Sequence, residues 1–280
     1  MARLKKRDKA DVPPGHESPL DFAVTSRDAG VLTMVRNAIQ HKEVLLAYQP
    51  IVSALDHKTP AFHEGLIRVL DDTGRVIPAK EFIGAVEDNE LGRELDCIAI
   101  QKGTEALAAH PGLRLSINMS ARSIGYGRWM KVLKRGLSRG PDVGERLILE
   151  ISESSALQVP ELVIDFMDDL QSQGISFALD DFGKGFTSFR YFKDFFFDIL
   201  KLDGQFSRNI HNDGEGQVIA SGIAAIAERL DMCTVATRVE NPDEAKMFAH
   251  LGFHCLQGFM FDAPTVRPDW LTSKNNRNAA

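Results

Sequence analysis

Beyond about residue 30 the chain alternates between two patterns of apolar and polar positions. Eight short apolar runs recur: "VLLAYQPIV", "AFHEGLIRV", "LRLSINMS", "RLILEIS", "ISFALDD", "FDILKLD", "MCTVAT" and "FHCLQG". Continuous apolar runs of this length are what parallel strands covered on both faces require. The segments between them carry a helical period. In "VPELVIDFMDDLQSQG", Leu162, Val163 and Ile164 lead into Phe166, Met167 and Leu170. Pro160 suits a first turn there, and Gly174 suits a C-terminal stop. In "QVIASGIAAIAERL", Ile219, Ile223, Ile226 and Leu230 mark one face. Eight strands separated largely by helices predict an α/β fold, a single TIM-like (β/α)8 barrel. We place the barrel at residues 28–272, after a polar, disordered tail at 1–27 and before a polar tail at 273–280. The stretch "DDTGRVIPAKEF" reads as a turn-rich insertion too short to divide domains.

Near the C-terminal end of each run sits a residue that an apolar core rejects. In chain order these are Gln49, Glu64, Asn118, Glu150, Asp180 with Asp181, Lys201, Thr237 and Gln257. Taken alone, the aspartate pair in "FALDDFGKGFTSF" fits an ordinary turn. Taken together, the strand ends predict one polar site at the C-terminal face of the barrel, where such folds build their chemistry. Glu64, Glu150, Asp180 and Asp181 are hard oxygen donors, and Asn118 adds a carbonyl. Oxygen-only ligation suits Mg²⁺, Mn²⁺ or Ca²⁺ over zinc or copper. Lys201 supplies one fixed positive charge. His63 and His254 read as core histidines whose hydrogen bonds are satisfied.

Composition narrows the picture further. The chain has 280 residues and a formal net charge of -6, which does not suggest binding of a nucleic-acid polymer. Cys97, Cys233 and Cys255 lack metal-binding spacing and read as buried thiols in a reducing compartment. No apolar run is long enough to span a membrane, so the expected location is the cytoplasm. The basic start, "MARLKKR", reads as a solvated tail able to touch an acidic partner or lipid.

The segments "YQPIV", "EGLIR", "INMS", "LEISE", "DDFGKGFTS", "LKLD" and "QGFMF", in this order, resemble the signatures of the EAL domain family. That family comprises bacterial phosphodiesterases of cyclic di-GMP and their non-catalytic relatives. The resemblance runs from about residue 30 to about 270. Its namesake triplet is Glu64-Gly65-Leu66 here. It implies a (β/α)8 barrel with an unusual first strand and a site for two divalent cations, Mg²⁺ or Mn²⁺, with Ca²⁺ inhibitory or non-productive. Glu64, Asn118, Glu150 and Asp180 match ligands of the first cation, and Asp180 with Asp181 match ligands of the second. Lys201 matches the lysine that orients the attacking water. Gln49, Leu66, Arg68 and Gln257 match positions near the dinucleotide. "DFGKGFTSF" matches a lid-like loop with flexible Gly183 and Gly185. A homodimer through the region 181–197 is implied with it. The aromatic run "FRYFKDFFFDIL" reads as packing against the barrel or as a partner surface centred on Phe196.

One segment departs from the family. Active members end the seventh strand in Ala-Glu-Gly-Val-Glu, whereas this chain reads "ATRVE", residues 236–240. Thr237 stands at the general-base position and supplies no carboxylate; Glu240 retains the second glutamate. Arg238 stands where the family has glycine, and we expect it to replace the second cation's charge and hold a phosphate. Three readings follow. The first is a cyclic di-GMP-binding signalling domain with impaired or absent phosphodiesterase activity. The second is an active phosphodiesterase yielding pGpG. The third is a protein-interaction scaffold without nucleotide, which the presence of Gln49, Arg68 and Gln257 disfavours. A barrel lyase acting on another substrate is a remote fourth.

Overall fold

The computed structural model of the chain describes residues 19–185 and 192–272. The eight predicted runs are strands β1 (Val44–Ser53), β2 (Pro60–Leu70), β4 (Leu115–Asn118), β5 (Leu147–Ser152), β6 (Ser176–Phe182), β7 (Ile199–Leu202), β8 (Cys233–Ala236) and β9 (Cys255–Leu256). They close into a ring in the order β1-β9-β8-β7-β6-β5-β4-β2, with β2 returning to β1. The fold is the (β/α)8 barrel. Six neighbouring pairs, from β2–β4 round to β8–β9, are parallel. Strand β1 runs antiparallel to both of its neighbours.

Two features lie outside the pattern read from the sequence. The turn-rich insertion contains a short strand, β3 (Val76–Pro78), paired antiparallel to the outer end of β2. Helix α1 (Pro19–Gln40) starts ahead of residue 28, so residues 19–27 are helical rather than tail. Its Val35 and Ala38 pack with Val44, Val69, Ile77, Phe82, Val86 and Leu95 in a separate small core. The expected tails at 1–18 and 273–280 lie outside the described residues.

The barrel interior follows from the two-residue period of a strand. Ile51, Phe62, Ile148, Ala178, Ile199, Val235 and Cys255 form one closed apolar cluster. Six of them stand two residues before a polar strand end: Phe62 before Glu64, Ile148 before Glu150, Ala178 before Asp180, Ile199 before Lys201, Val235 before Thr237 and Cys255 before Gln257. Ile51 stands two residues after Gln49, because β1 runs the other way. The interior is therefore an apolar floor beneath a polar layer. The opposite strand faces, with Ile117, Leu149, Phe177 and Leu200, pack outward against the helices in the largest core.

The helices start where their caps dictate. The Asn89 side chain accepts from Leu91 N–H at the start of α3 (Glu90–Ala109). The Asp213 carboxylate accepts from Gly216 N–H at α7 (Gly214–Arg229), and Asn241 caps α8 (Pro242–His250). In α6 (Pro160–Gln171), Val163, Phe166, Met167 and Leu170 are buried, whereas Leu162, grouped with them in the sequence, is exposed. Helix α7 differs from expectation. Its buried residues are Gly216, Ala220, Ile223, Ala224 and Ala227, whereas Ile219, Ile226 and Leu230 are exposed. Small side chains let this helix lie close to the barrel, and the larger apolar ones turn outward.

The seventh and eighth connections meet at one tight contact. Val239 N–H donates to the Gln257 carbonyl, and Met260 N–H donates to the Val239 carbonyl. A Cβ on Gly258 would fall 1.9 Å from the Val239 carbonyl oxygen and 2.4 Å from its nitrogen. Only glycine permits this approach. Gly258→Ala is expected to destabilise the fold by about 3 kcal/mol, lowering the thermal midpoint by roughly 6–12 °C. An unchanged midpoint in a calorimetric scan would show that these two backbones are not held together.

Candidate active site

The polar layer is organised around one ammonium group. Lys201 is 1% exposed, and its Nζ lies 2.6 Å from Glu150 Oε2, 2.9 Å from Glu64 Oε2 and 3.5 Å from Asp180 Oδ1. The three carboxylates come from β2, β5 and β6, and the lysine from β7. Glu64 is held on every side. Asn118 Nδ2 donates to its Oε1 at 2.7 Å, and Gln257 Nε2 donates to its Oε2 at 2.7 Å. Gln257 Nε2 also reaches Gln49 Oε1 at 3.0 Å, and Gln49 Nε2 donates to the Asp262 carbonyl. Gln49 and Gln257 are thus buried supports of Glu64 in this structure, not open contacts at the rim.

The charges do not balance. Three acids surround one cation, and burial makes that excess costly. Burial would raise the Glu64 carboxyl, but Lys201 and the three hydrogen bonds overcome it and hold the group below its ordinary value. Glu150 is pushed up to about 8 by burial and by the negative charge of Glu64, against the pull of Lys201. Asp180 is raised too, chiefly by burial. Burial would lower Lys201, but the three carboxylates hold it well above the usual lysine range. The buried Oε1 of Glu150 has no hydrogen-bond partner among the described residues. A hard divalent cation beside Glu64, the Asn118 carboxamide, Glu150 and Asp180 would fill that vacancy and offset the excess charge. These residues fit one such ion. Among the described residues, however, no three His, Cys, Asp or Glu side chains already form a metal-ligand group.

The aspartate pair is placed by a break in the sheet. Register between β6 and β7 runs from Leu179 opposite Leu200 to Phe182 opposite Leu202, so Asp180 and Asp181 together face Lys201. This bulge turns Asp181 into a left-handed conformation, φ +54°. Its carboxylate is then taken by Lys184 Nζ at 2.6 Å. At the end of β8, Thr237 Oγ1 donates to the Leu202 carbonyl at 2.8 Å. Two groups expected at a second cation are therefore engaged elsewhere. Arg238 is exposed, at φ +56°, with its aliphatic stem against Gly204. Its guanidinium has no ion-pair or hydrogen-bond partner among the described residues, so it stands outside the carboxylate cluster. Its charge is nonetheless felt at Lys184, whose pKa it lowers against the stronger upward pull of Asp181.

Leu66 and Arg68 follow Glu64 on the same face of β2, above the polar layer. Arg68 is half-buried and spends Nη1 on the Ile67 carbonyl at 2.8 Å. Burial lowers its pKa, partly offset by Glu64. The histidines stay apart: His254, expected in the core, is exposed with its Nδ1 against Thr234, and His63 lies edge-on to Trp270. Glu153, passed over in the sequence, is buried and accepts from Gly183 N–H at 3.0 Å. Its signal was a second acid in "LEISE", three residues past Glu150. The last four residues of the expected lid, 186–189, lie outside the described residues.

Residues 33–264 match the family model described as the EAL domain. The chain belongs to the EAL domain family. Over 234 residues it is 29% identical to the cyclic di-GMP phosphodiesterase PdeB of Shewanella oneidensis, covering 82% of this chain and 27% of that one. Over 245 residues it is 27% identical to the cyclic di-GMP phosphodiesterase PdeF of Escherichia coli, covering 86% and 32%. This EAL chain thus spans a third or less of the length of those two relatives. Among solved structures it resembles a MucR phosphodiesterase in complex with c-di-GMP, with TM-score 0.75 and 25% identity, covering 87% of this chain and 99% of that one. The c-di-GMP-bound EAL domain of FimX from Pseudomonas aeruginosa shares the fold, with TM-score 0.77 and 23% identity, over 85% of this chain and 97% of that one. Among the described residues, no helix of this EAL domain is long and apolar enough to cross a membrane.

The raised acids have a consequence for stability. Folded Glu150 keeps its proton up to about pH 8, whereas the ordinary glutamate value is 4.5. Between those values the native state binds more protons than the unfolded chain, so stability falls as pH rises. Asp180 acts in the same direction. Glu64 acts oppositely, and its contribution is lost only as pH falls below its ordinary range. In chelator, the unfolding midpoint is expected to drop between pH 5 and pH 8, and Glu150→Gln should flatten the drop. A wild-type midpoint that rises across that window would contradict this assignment.

Proposed function

We propose that this EAL domain binds cyclic di-GMP at the barrel mouth and hydrolyses it weakly or not at all. The observation that carries this reading is the pairing at the strand ends. Thr237 gives its hydroxyl to Leu202 and supplies no carboxylate, while Asp181 is held by Lys184. Binding is supported by the family, by the relatives' names and by the ligand of the MucR complex. EAL phosphodiesterases are generally metal-dependent. In this reading Glu64, Asn118, Glu150 and Asp180 hold one Mg²⁺ or Mn²⁺. Such an ion, when bound, polarises a phosphoryl oxygen.

The chain's own groups then divide the work. Arg68 offers its free guanidinium donors to a phosphate, a pairing its planar fork suits. Leu66 lines the approach. Gln257 and Gln49 fix the Glu64 carboxylate. Lys201 stays charged between its three acids. Arg238 adds positive potential at the rim. No group at position 237 can accept a proton from water near neutral pH. A slow but genuine phosphodiesterase is the second reading, favoured by the complete cluster of Glu64, Asn118, Glu150, Asp180 and Lys201.

Calorimetric titration with cyclic di-GMP, with Ca²⁺ present to prevent turnover, is expected to show binding. Arg68→Ala should weaken it by about 1.5–3 kcal/mol, the worth of a charged hydrogen bond to phosphate. Unchanged affinity would remove Arg68 from the ligand site.

Turnover is tested separately. With Mg²⁺ or Mn²⁺ the wild type should release no pGpG above background. Thr237→Glu combined with Arg238→Gly returns a carboxylate and relieves a left-handed arginine, a strain of about 1 kcal/mol. That double variant is expected to gain hydrolysis, with Mn²⁺ supporting it better than Ca²⁺, whose looser shell positions water less tightly. Fast wild-type turnover, equal to that of the double variant, would establish the second reading instead.

A further inference from the structure

A (β/α)8 barrel covers the outer faces of its strands with helices, and β1 is only partly covered. The connections after β7 and β8 carry α7 and α8, but the one after β9 carries a single four-residue helix, Asp269–Thr272. Helix α1 packs with β1 at Val44, the first residue of the strand. Gln49 and Ile51 face the barrel interior, so Tyr48, Pro50 and Val52 face outward. What lies over them is the irregular segment 261–270, and the fit leaves a cavity of about 540 Å³. That size suits a small organic molecule. The cavity is separate from the polar layer. None of Glu64, Glu150, Asp180 or Lys201 lines it, and β1 stands between the two. It is also built before any ligand arrives. Tyr48 N–H donates to the Thr265 carbonyl at 2.8 Å, and Thr265 N–H donates back to the Tyr48 carbonyl at 3.1 Å. Thr265 Oγ1 accepts from Arg267 N–H at 3.1 Å, which fixes the next turn.

The walls of the cavity are aromatic. Tyr48 and Trp270 meet edge to face with ring centroids 4.8 Å apart, and His63 lies 5.8 Å from the same indole. Phe261 and His57 form a second such pair at 5.3 Å. Burial lowers the pKa of His63, which therefore adds a ring and no charge. The rim carries both signs. Lys58 and Arg267 are exposed there, and neither has an ion-pair partner among the described residues. Asp262 and Asp269, also exposed, line the same cavity. Two bases and two acids around a ring-walled hollow suit neither a bare anion nor a plain hydrocarbon. They suit a flat ring that carries an anionic group and N–H donors together. The anion pairs with Lys58 and Arg267, the donors meet the aspartates, and the ring packs among the aromatic walls. We propose that this cavity is a second ligand site, which takes a small aromatic molecule bearing both an anionic group and N–H donors. Two kinds of molecule share that chemistry. One is a guanine nucleoside monophosphate, whose base edge donates; the other is an aromatic amino acid, whose ammonium donates. Neither depends on what the barrel mouth binds.

The test is an NMR titration of the ¹⁵N-labelled chain, read at the indole N–H groups of its two tryptophans. Trp129 is 0% exposed within the large core and serves as the internal standard, whereas Trp270 lines the cavity. GMP and L-tryptophan are titrated separately, with inorganic phosphate as a third probe. GMP or L-tryptophan is expected to move the Trp270 signal saturably, with a dissociation constant on the order of 1 mM or below, and to leave Trp129 still. The tighter of the two assigns the source. Lys58→Glu combined with Arg267→Glu should weaken that binding at least about tenfold, the worth of a charged hydrogen bond. The thermal midpoint should not move, because both side chains are exposed. Arg68→Ala, at the mouth, should bind the same probe as the wild type does. The proposal is overturned if neither GMP nor L-tryptophan moves Trp270 at about 10 mM, or if phosphate alone gives the same response. Undiminished binding by the double variant, or loss of the response in Arg68→Ala, would overturn it as well.

Discussion

The ammonium group of Lys201 is the constraint on which the mouth of the barrel depends. It lies between carboxyl groups from three strands, and Glu64 is held charged among them by it and by three hydrogen bonds. Removing one member of a buried charge cluster is worth about 3–5 kcal/mol because it strands the rest. The surrounding amides answer the same demand. Asn118 and Gln257 donate to Glu64, and Gln49 steadies Gln257. Beneath them the apolar floor keeps water from reaching the cluster from below. The resting fold relieves the excess of acids by keeping the proton on Glu150, and a cation at the mouth would take that proton's place.

Much of this was legible in the sequence, for a simple reason. A parallel strand buried on both faces must be apolar, so a glutamate, lysine or glutamine at its end stands out. The eight strands and the members of the polar layer followed from that contrast. Direction did not follow, because a two-residue period reads the same forwards and backwards; the reversal of β1 appears only in its pairing. The bulge at Asp180 and Asp181 was hidden too. Strict alternation opposes one residue to each partner, and only the register slip sets both aspartates opposite Lys201. The roles of Gln49 and Gln257 were half legible: their place near the site was readable, but not that they would be spent on Glu64.

Helix α7 shows where periodicity misleads. Both of its faces are apolar, and hydrophobicity alone favours burying the larger residues. Packing chose otherwise, since the close approach of this helix to β8 admits glycine and alanine and turns Ile219 and Ile226 outward. The start of α1 was misread for a related reason. Residues 19–27 follow a polar lead-in and include Leu20, Phe22 and Val24, and they form the first turns of a helix whose anchoring contacts come later, at Val35 and Ala38.

The reversal of β1 has a mechanical consequence. In a barrel of wholly parallel strands the first strand enters from the floor, far from the site. Here the chain passes from α1 into β1 above the mouth and descends past five residues, about 17 Å of extended backbone, before reaching Gln49. Beyond Gln49 the strand is bonded on both sides, to β2 and to β9, and cannot yield sideways. A push or twist applied at α1 thus travels down a stiff rod whose far end is clamped. The first deformable element it meets is a side-chain amide that sets the position of the central carboxylate.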